Sequence, residues 1–173
     1  ETMPVTRYVC TALDRVTPQR GELISETAKY AETDLLCYRA EAPPELAKRQ
    51  AAAWQPLLNW AAERYDAVLE TTIGVVAIAQ ESAALTRLRK AVAAENDLTL
   101  TGLHVATATS GSLIVALALM EQEINAERAW AASHIEERWQ LERWGEDEEL
   151  VERLEIARRE ISDAQKFISL SRD

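Results

Sequence analysis

Residues 98–120 carry no charged side chain, and an uncharged run of that length has to be buried, either in a bilayer or in the middle of a protein. Its polar content decides between the two. Thr99, Thr101, His104, Thr107, Thr109, Ser110 and Ser112 interrupt the apolar residues. Each would need a partner inside hydrocarbon, where water cannot supply one. Neither an aromatic belt nor a Lys/Arg cluster follows the segment, as membrane spans ordinarily show. The run therefore predicts a central helix buried in protein, with His104 a satisfied core histidine and no membrane insertion.

The rest of the chain reads as helices packed around that centre. Among 173 residues there are five glycines and five prolines, too few for the turns of an all-β sandwich or barrel. Alanine, leucine, glutamate and arginine, all helix formers, dominate. Helices are expected over residues 3–16 (Val9, Leu13 and Val16 on one face, stopped by Pro18), 22–33, a long one opened by Pro43 and Pro44 and running to about Tyr65, and 80–94. Asn96 and Asp97 can cap the uncharged helix, and Asn125 can cap one running to Arg143, broken by Gly145. The acidic run 146–149 opens the last helix, to about Ser169. Residues 34–39 (DLLCYR) and 66–73 (DAVLETTI, closed by Gly74) are the strand candidates. The fold class is thus mainly α: a helical bundle with at most a small two-stranded β ribbon, residues 1–173 forming one helical domain. In the last helix Leu150, Leu154, Ala157, Ile161, Ala164 and Ile168 form a heptad-like stripe. It is too short for an independent coiled coil and is read as packing within the chain; a self-associating structural bundle is the alternative.

Charge limits the partners. The net charge of −10 makes nucleic acid and anionic membranes poor partners for the chain as a whole, and a basic or amphipathic protein partner fits better. Cys10 and Cys37 lack metal-type spacing and point to a reducing compartment. The chain opens on Glu1, so an upstream segment is expected to have been removed, and neither a signal peptide nor an Arg-rich transit peptide is visible.

No catalytic motif emerges: GxGxxG, a phosphate-binding loop, GxSxG and HExxH are all missing from the sequence. No catalytic residue, cofactor or metal is expected. His134 with Glu136 and Glu137 is the single arrangement that would make a small metal-dependent enzyme. Metal sites need convergent ligands, and a di-iron bundle needs two ExxH motifs that neither histidine supplies.

Two constellations carry information. Trp54, Pro56 and Trp60 lie on one expected helix beside Leu57 and Leu58 and are read as structural, with Pro56 kinking the helix or starting a new one. The second is HIEERWQLERWGEDEE, residues 134–149, where Glu136, Glu137, Glu142, Glu146, Asp147, Glu148 and Glu149 interleave with Trp139 and Trp144. A helix macrodipole accounts for one or two of those acids. Glu137, Gln140 and Trp144 fall on one ridge that ends at Gly145, a structural stop, while Glu136 points about 100° away from Glu137. Glu136, Glu137, Gln140, Trp144, Glu146 and Asp147 are the expected partner-binding residues.

The stretches MPVTRYVCTALDRV, DLLCYRAEAPPELAKRQAAAWQPLLNWAAERY, GSLIVALAL and ASHIEERWQLERWGEDEE carry a resemblance that covers nearly the whole chain. Within them the spacing Cys37-Tyr38-Arg39, Pro44, Leu46, Gln50, Trp54, Pro56, Trp60, then Glu137, Gln140, Trp144 and Gly145 is specific. The chain resembles the assembly chaperones that attend the alpha subunit of the F-type ATP synthase catalytic head. The resemblance implies a monomeric binding protein without turnover. It would hold the unassembled alpha subunit, whose exposed surface otherwise aggregates, until the beta subunit takes its place. The family usually carries a β-rich N-terminal domain before the MPVTR-like segment, so the resemblance is to its C-terminal helical domain. Bacterial and mitochondrial members exist. The alanine- and arginine-rich composition resembles the alphaproteobacterial type, which implies the cytoplasm, or the mitochondrial matrix for a eukaryotic member.

Overall fold

Short polar side chains set the starts of the helices. In the computed structural model, which describes residues 17–145 and 147–172, eight α-helices follow one another. They are α1 (Thr17–Lys29), α2 (Pro44–Tyr65), α3 (Ser82–Ala94), α4 (Asp97–Ser110), α5 (Leu113–Met120), α6 (Ala126–Ser133), α7 (Ile135–Trp144) and α8 (Glu148–Arg172). The expected helix at 3–16, Cys10 and Glu146 lie outside the described residues. Asn96 accepts from the Thr99 N–H at 2.9 Å, Ser112 from Val115 at 3.0 Å and Asn125 from Arg128 at 2.9 Å, fixing the starts of α4, α5 and α6. The fold is mainly α, as the composition predicts.

The uncharged run is the centre of the bundle, but it is two helices. Gly111, with φ +69°, ends α4 in a left-handed turn, and Ser112 caps α5 immediately after it. All eight residues of α5 are buried. The hydroxyls of the run find partners: Thr101 donates to the Asp97 carbonyl at 2.8 Å, Thr107 to Leu103 at 2.7 Å and Ser110 to Ala106 at 2.6 Å, while Thr99 meets the Ser171 hydroxyl at 2.9 Å and Thr109 donates to Glu160 at 3.1 Å. Among the described residues no helix is long and apolar enough to cross a membrane.

Asp34 ties the chain to that break. Its fully buried carboxylate accepts from the Ser112 hydroxyl at 2.7 Å and from the Leu36 and Ile114 N–H groups at 3.1 Å each. A carboxylate at the start of α5 suits the helix dipole. Burial nevertheless pushes its pKa up to about 6, against hydrogen bonds that pull it down. The same capping turns residues 35–37 into a 3₁₀ turn, Leu35–Cys37, so the expected strand over 34–39 shrinks to β1, Tyr38–Arg39. Its partner β2 is Thr72–Ile73, paired in parallel as Tyr38 with Thr72 and Arg39 with Ile73. Residues 67–70 do alternate, Ala67 and Leu69 buried and Val68 and Glu70 exposed, but among the described residues no strand pairs with them.

Two more boundaries differ from expectation. Pro56 neither kinks α2 into two nor starts a new helix: it sits on the exposed face of one continuous element. The helix expected from Asn125 to Arg143 is broken at His134, whose φ of −120° and ψ of 37° separate α6 from α7. The stripe of α8 is spent inside the chain. Leu150, Leu154, Ile161, Ala164 and Ile168 are buried, Ala157 half-buried, and Phe167 and Ile168 close over Gly102 of α4.

Candidate functional site

The ridge read from the sequence is present on α7. Ile135 and Trp139 face inward and are buried. Helical spacing then sets Glu137, Gln140 and Trp144 on the opposite side. Gln140 is exposed, Glu137 half-buried, and Trp144 is 78% exposed at the last turn. A tryptophan left in water at that level is unusual for a residue carrying so much apolar area. Gly145, with φ +90°, follows it and donates its N–H to the Leu141 carbonyl at 3.1 Å, ending the helix and the ridge together. Asp147 stands just beyond, exposed, with its carboxylate accepting from the Leu150 N–H at 3.1 Å as a cap for α8.

Glu136 belongs to a different arrangement. Gln50, on the buried stripe of α2, has no exposed surface. The Ala40 N–H donates to its Oε1 at 2.6 Å, which fixes the amide orientation and aims Nε2 at Glu136 Oε1, 2.8 Å away. A buried amide thus anchors a carboxylate at the surface, one turn from Gln140. The sequence carried a signal for this: Gln50 is the polar member of an otherwise apolar series, Leu46, Trp54, Leu57, Leu58 and Ala61. Beside it Arg49 pairs with Glu142 at 2.6 Å and lies 4.6 Å over the Trp139 ring, joining α2 to α7 a second time.

The fold has close counterparts among solved structures. The crystal structure of Atp12 from Paracoccus denitrificans superposes with a TM-score of 0.96 at 39% identity, covering 98% of this chain and 72% of that one. The chain belongs to the ATP12 chaperone family. These are the ATP synthase assembly chaperones that its sequence resembles. Residues 1–62 match the family model for the ATP12 chaperone protein. A protein from Agrobacterium tumefaciens is also similar, with a TM-score of 0.89 at 36% identity, covering 99% of this chain and 64% of that one.

In this ATP12-family chain the other sequence candidates take structural places. Trp54 is 1% exposed and its indole N–H donates to the Ala132 carbonyl at 2.7 Å, so it bolts α2 to α6. Trp60 is half-buried and meets Tyr65 edge to face at 5.6 Å. Trp130 donates to the Leu154 carbonyl at 3.0 Å. The arrangement that could have made a metal site does not converge. His134 Nδ1 lies 3.0 Å from both the Trp130 carbonyl and the Ser133 hydroxyl, while Glu136 turns to Gln50. Among the described residues no group of three or more His, Cys, Asp and Glu side chains is placed to hold a metal ion. His104 is a core histidine as expected: it bonds Thr27 Oγ1 at 3.0 Å, and burial lowers its pKa. Burial pushes the Cys37 thiol up to about 12, which leaves it a thiol and a poor nucleophile.

Proposed function

We propose that this chain binds the unassembled alpha subunit of the F-type ATP synthase and shields it until the beta subunit replaces it. Its docking surface would include the outward ridge of α7. The reading rests on membership of the ATP12 family, and the observation that carries the surface is Trp144, 78% exposed at the end of a ridge with Glu137 and Gln140. An exposed tryptophan supplies the apolar area typical of an interface anchor. Asp147 stands just beyond it, Glu136 lies on the same helix and Glu146 follows Gly145 in the sequence; carboxylates on such a surface steer basic groups on a client and raise the association rate. Such a protein acts by binding alone, as a monomer in the bacterial cytoplasm, without a cofactor.

The test is capture of a co-expressed alpha subunit. Glu137→Lys should stay within about 0.5 kcal/mol of the parent in stability, as surface substitutions do, and Trp144→Ala should unfold at the parent's temperature. Both should lose most alpha-subunit capture, the Glu137→Lys loss varying with salt. Folded variants that hold the alpha subunit as well as the parent would overturn the ridge as docking surface. A parent that captures none would overturn the client.

A further inference from the structure

On the other flank of α7 a cleft of about 550 Å³ opens against α2 and α6. It exists because the facing walls carry small residues, Ala53 from α2 and Ala131 from α6, over a floor of buried Leu57, Ile124 and Ile135. Its rim is charged, and with the opposite sign to the protein as a whole. Three arginines, Arg49, Arg128 and Arg138, stand against two acids, Glu123 and Glu142, on a chain of net charge −10. Glu142 is already neutralised by Arg49 at 2.6 Å. The Arg138 guanidinium lies over the Trp130 ring, 5.2 Å from its centroid. Among the described residues neither Arg128 nor Arg138 makes an ion pair, so with Arg49 and Glu142 paired the lining keeps two cationic side chains against one acid, Glu123.

We infer that this cleft docks an amphipathic helix of the client, with small or medium apolar residues on its inserted face and carboxylates along its flanks. The inference rests on the alpha-subunit reading and adds a second, separate contact to it. The cleft's walls are mostly helical and, among the described residues, present no free strand edge, so a segment that satisfies its own N–H and C=O groups, as a helix does, fits them best. The alanines let such a helix approach closely, and the cleft volume lies in the range of ordinary binding clefts. Arg128 and Arg138 then select carboxylates over amines, because guanidinium groups pair bidentately with them. The α7 helix would stand between two client contacts of opposite polarity: an acidic ridge on one side and a cationic, apolar cleft on the other.

Site-specific photocrosslinking tests this in the full chain, with a benzophenone amino acid at Ala52 on the cleft's exposed lip or at Gln140 on the ridge, co-expressed with the alpha subunit. The expected result is a crosslink from position 52 to a carboxylate-rich helical stretch of the alpha subunit. Capture should also fall at least tenfold in a folded Arg128→Glu, Arg138→Glu double variant, and in Ala131→Trp, which fills the cleft without changing charge. Crosslinks from Gln140 but none from Ala52 would overturn the cleft and leave the ridge reading standing. So would crosslinks from Ala52 to a second copy of this chain, or to a basic or extended stretch. Silence at both positions would overturn the alpha-subunit reading as well.

Discussion

Removing the Gln50 side chain should uncouple Glu136 from the bundle, and a double-mutant cycle measures by how much. Gln50 makes two hydrogen bonds, accepting from Ala40 at 2.6 Å and donating to Glu136 at 2.8 Å. Gln50→Leu leaves the Ala40 N–H without its acceptor, a loss of about 1–3 kcal/mol, and the leucine recovers about 1 kcal/mol through apolar burial. The exposed Glu136 carboxylate simply returns to water. The net loss should be about 0–2 kcal/mol. Glu136→Ala instead strands the Nε2 of a fully buried amide and should cost about 1–2 kcal/mol by itself. In the double variant the second loss has nothing left to remove, so it should match Gln50→Leu alone and the coupling energy should be about 1–2 kcal/mol. Urea unfolding of the four proteins, followed by far-UV circular dichroism, provides the numbers. Losses that add to within about 0.5 kcal/mol would refute the anchor. Glu136→Gln completes the argument, since it keeps the accepting oxygen and removes the charge. Its stability should match the parent, so any fall in client capture then reports the charge itself.

Three further outcomes follow from the packing. Trp54→Ala should cost about 3–5 kcal/mol, the usual range for truncating a buried large aromatic; an unchanged unfolding temperature would remove Trp54 from the core. Gly102→Ala would place a methyl 2.6 Å from Ile168 Cγ1. Overpacking of about 1–3 kcal/mol outweighs a helix-propensity gain of about 1 kcal/mol, so the melting temperature should fall, and a rise would show that Ile168 yields freely. Asp34, with its pKa raised from 3.8 to about 6, binds more protons folded than unfolded. Its contribution to stability therefore declines as pH rises from about 4 to about 6, by up to about 3 kcal/mol, and is level above that. A carbon NMR titration of the Asp34 carboxyl checks this, and a midpoint below about 4 would refute it.

What the sequence made legible is what depends on periodicity and capping. The mainly helical class, the buried centre, α2 and the stripe of α8 follow from apolar spacing, and the starts of α4 and α6 follow from Asn96 and Asn125. What it hid depends on contacts between distant residues. Leu35–Cys37 is a 3₁₀ turn because Asp34 reaches Ser112 and Ile114 far along the chain. Residues 67–70 have strand-like alternation, but among the described residues no strand pairs with them, and the Gln80 side chain bonds the Glu70 N–H and carbonyl instead. Pro56 lies on the solvent-facing side of the helix, where the Ala52 carbonyl that loses its i+4 donor can turn to water, so α2 runs through it. For the site, the common face of Glu137, Gln140 and Trp144 was legible from helical spacing, but not that this face would meet water. The anchor under Glu136 was not, because nothing local to Gln50 says which residue it will meet.

The break at His134 explains why the ridge exists at all. In α6 the buried positions are Ala129, Ala132 and Ser133. Continued without interruption, that face would come round to residues 136 and 140, and would bury Glu136 and Gln140 in the core. Neither could be buried cheaply without a full set of partners. Instead His134 leaves the helical region, its N–H still bonded to the Trp130 carbonyl at 3.1 Å and its own carbonyl accepting from Arg138 at 3.2 Å. The helix restarts one step out of phase, with Ile135 and Trp139 as the inward pair. That phase shift puts Glu136 at the margin, where one buried amide can hold it, and delivers Glu137, Gln140 and Trp144 to the surface. The local break that apolar spacing could not show is what turns a run of acids and tryptophans into an exposed ridge.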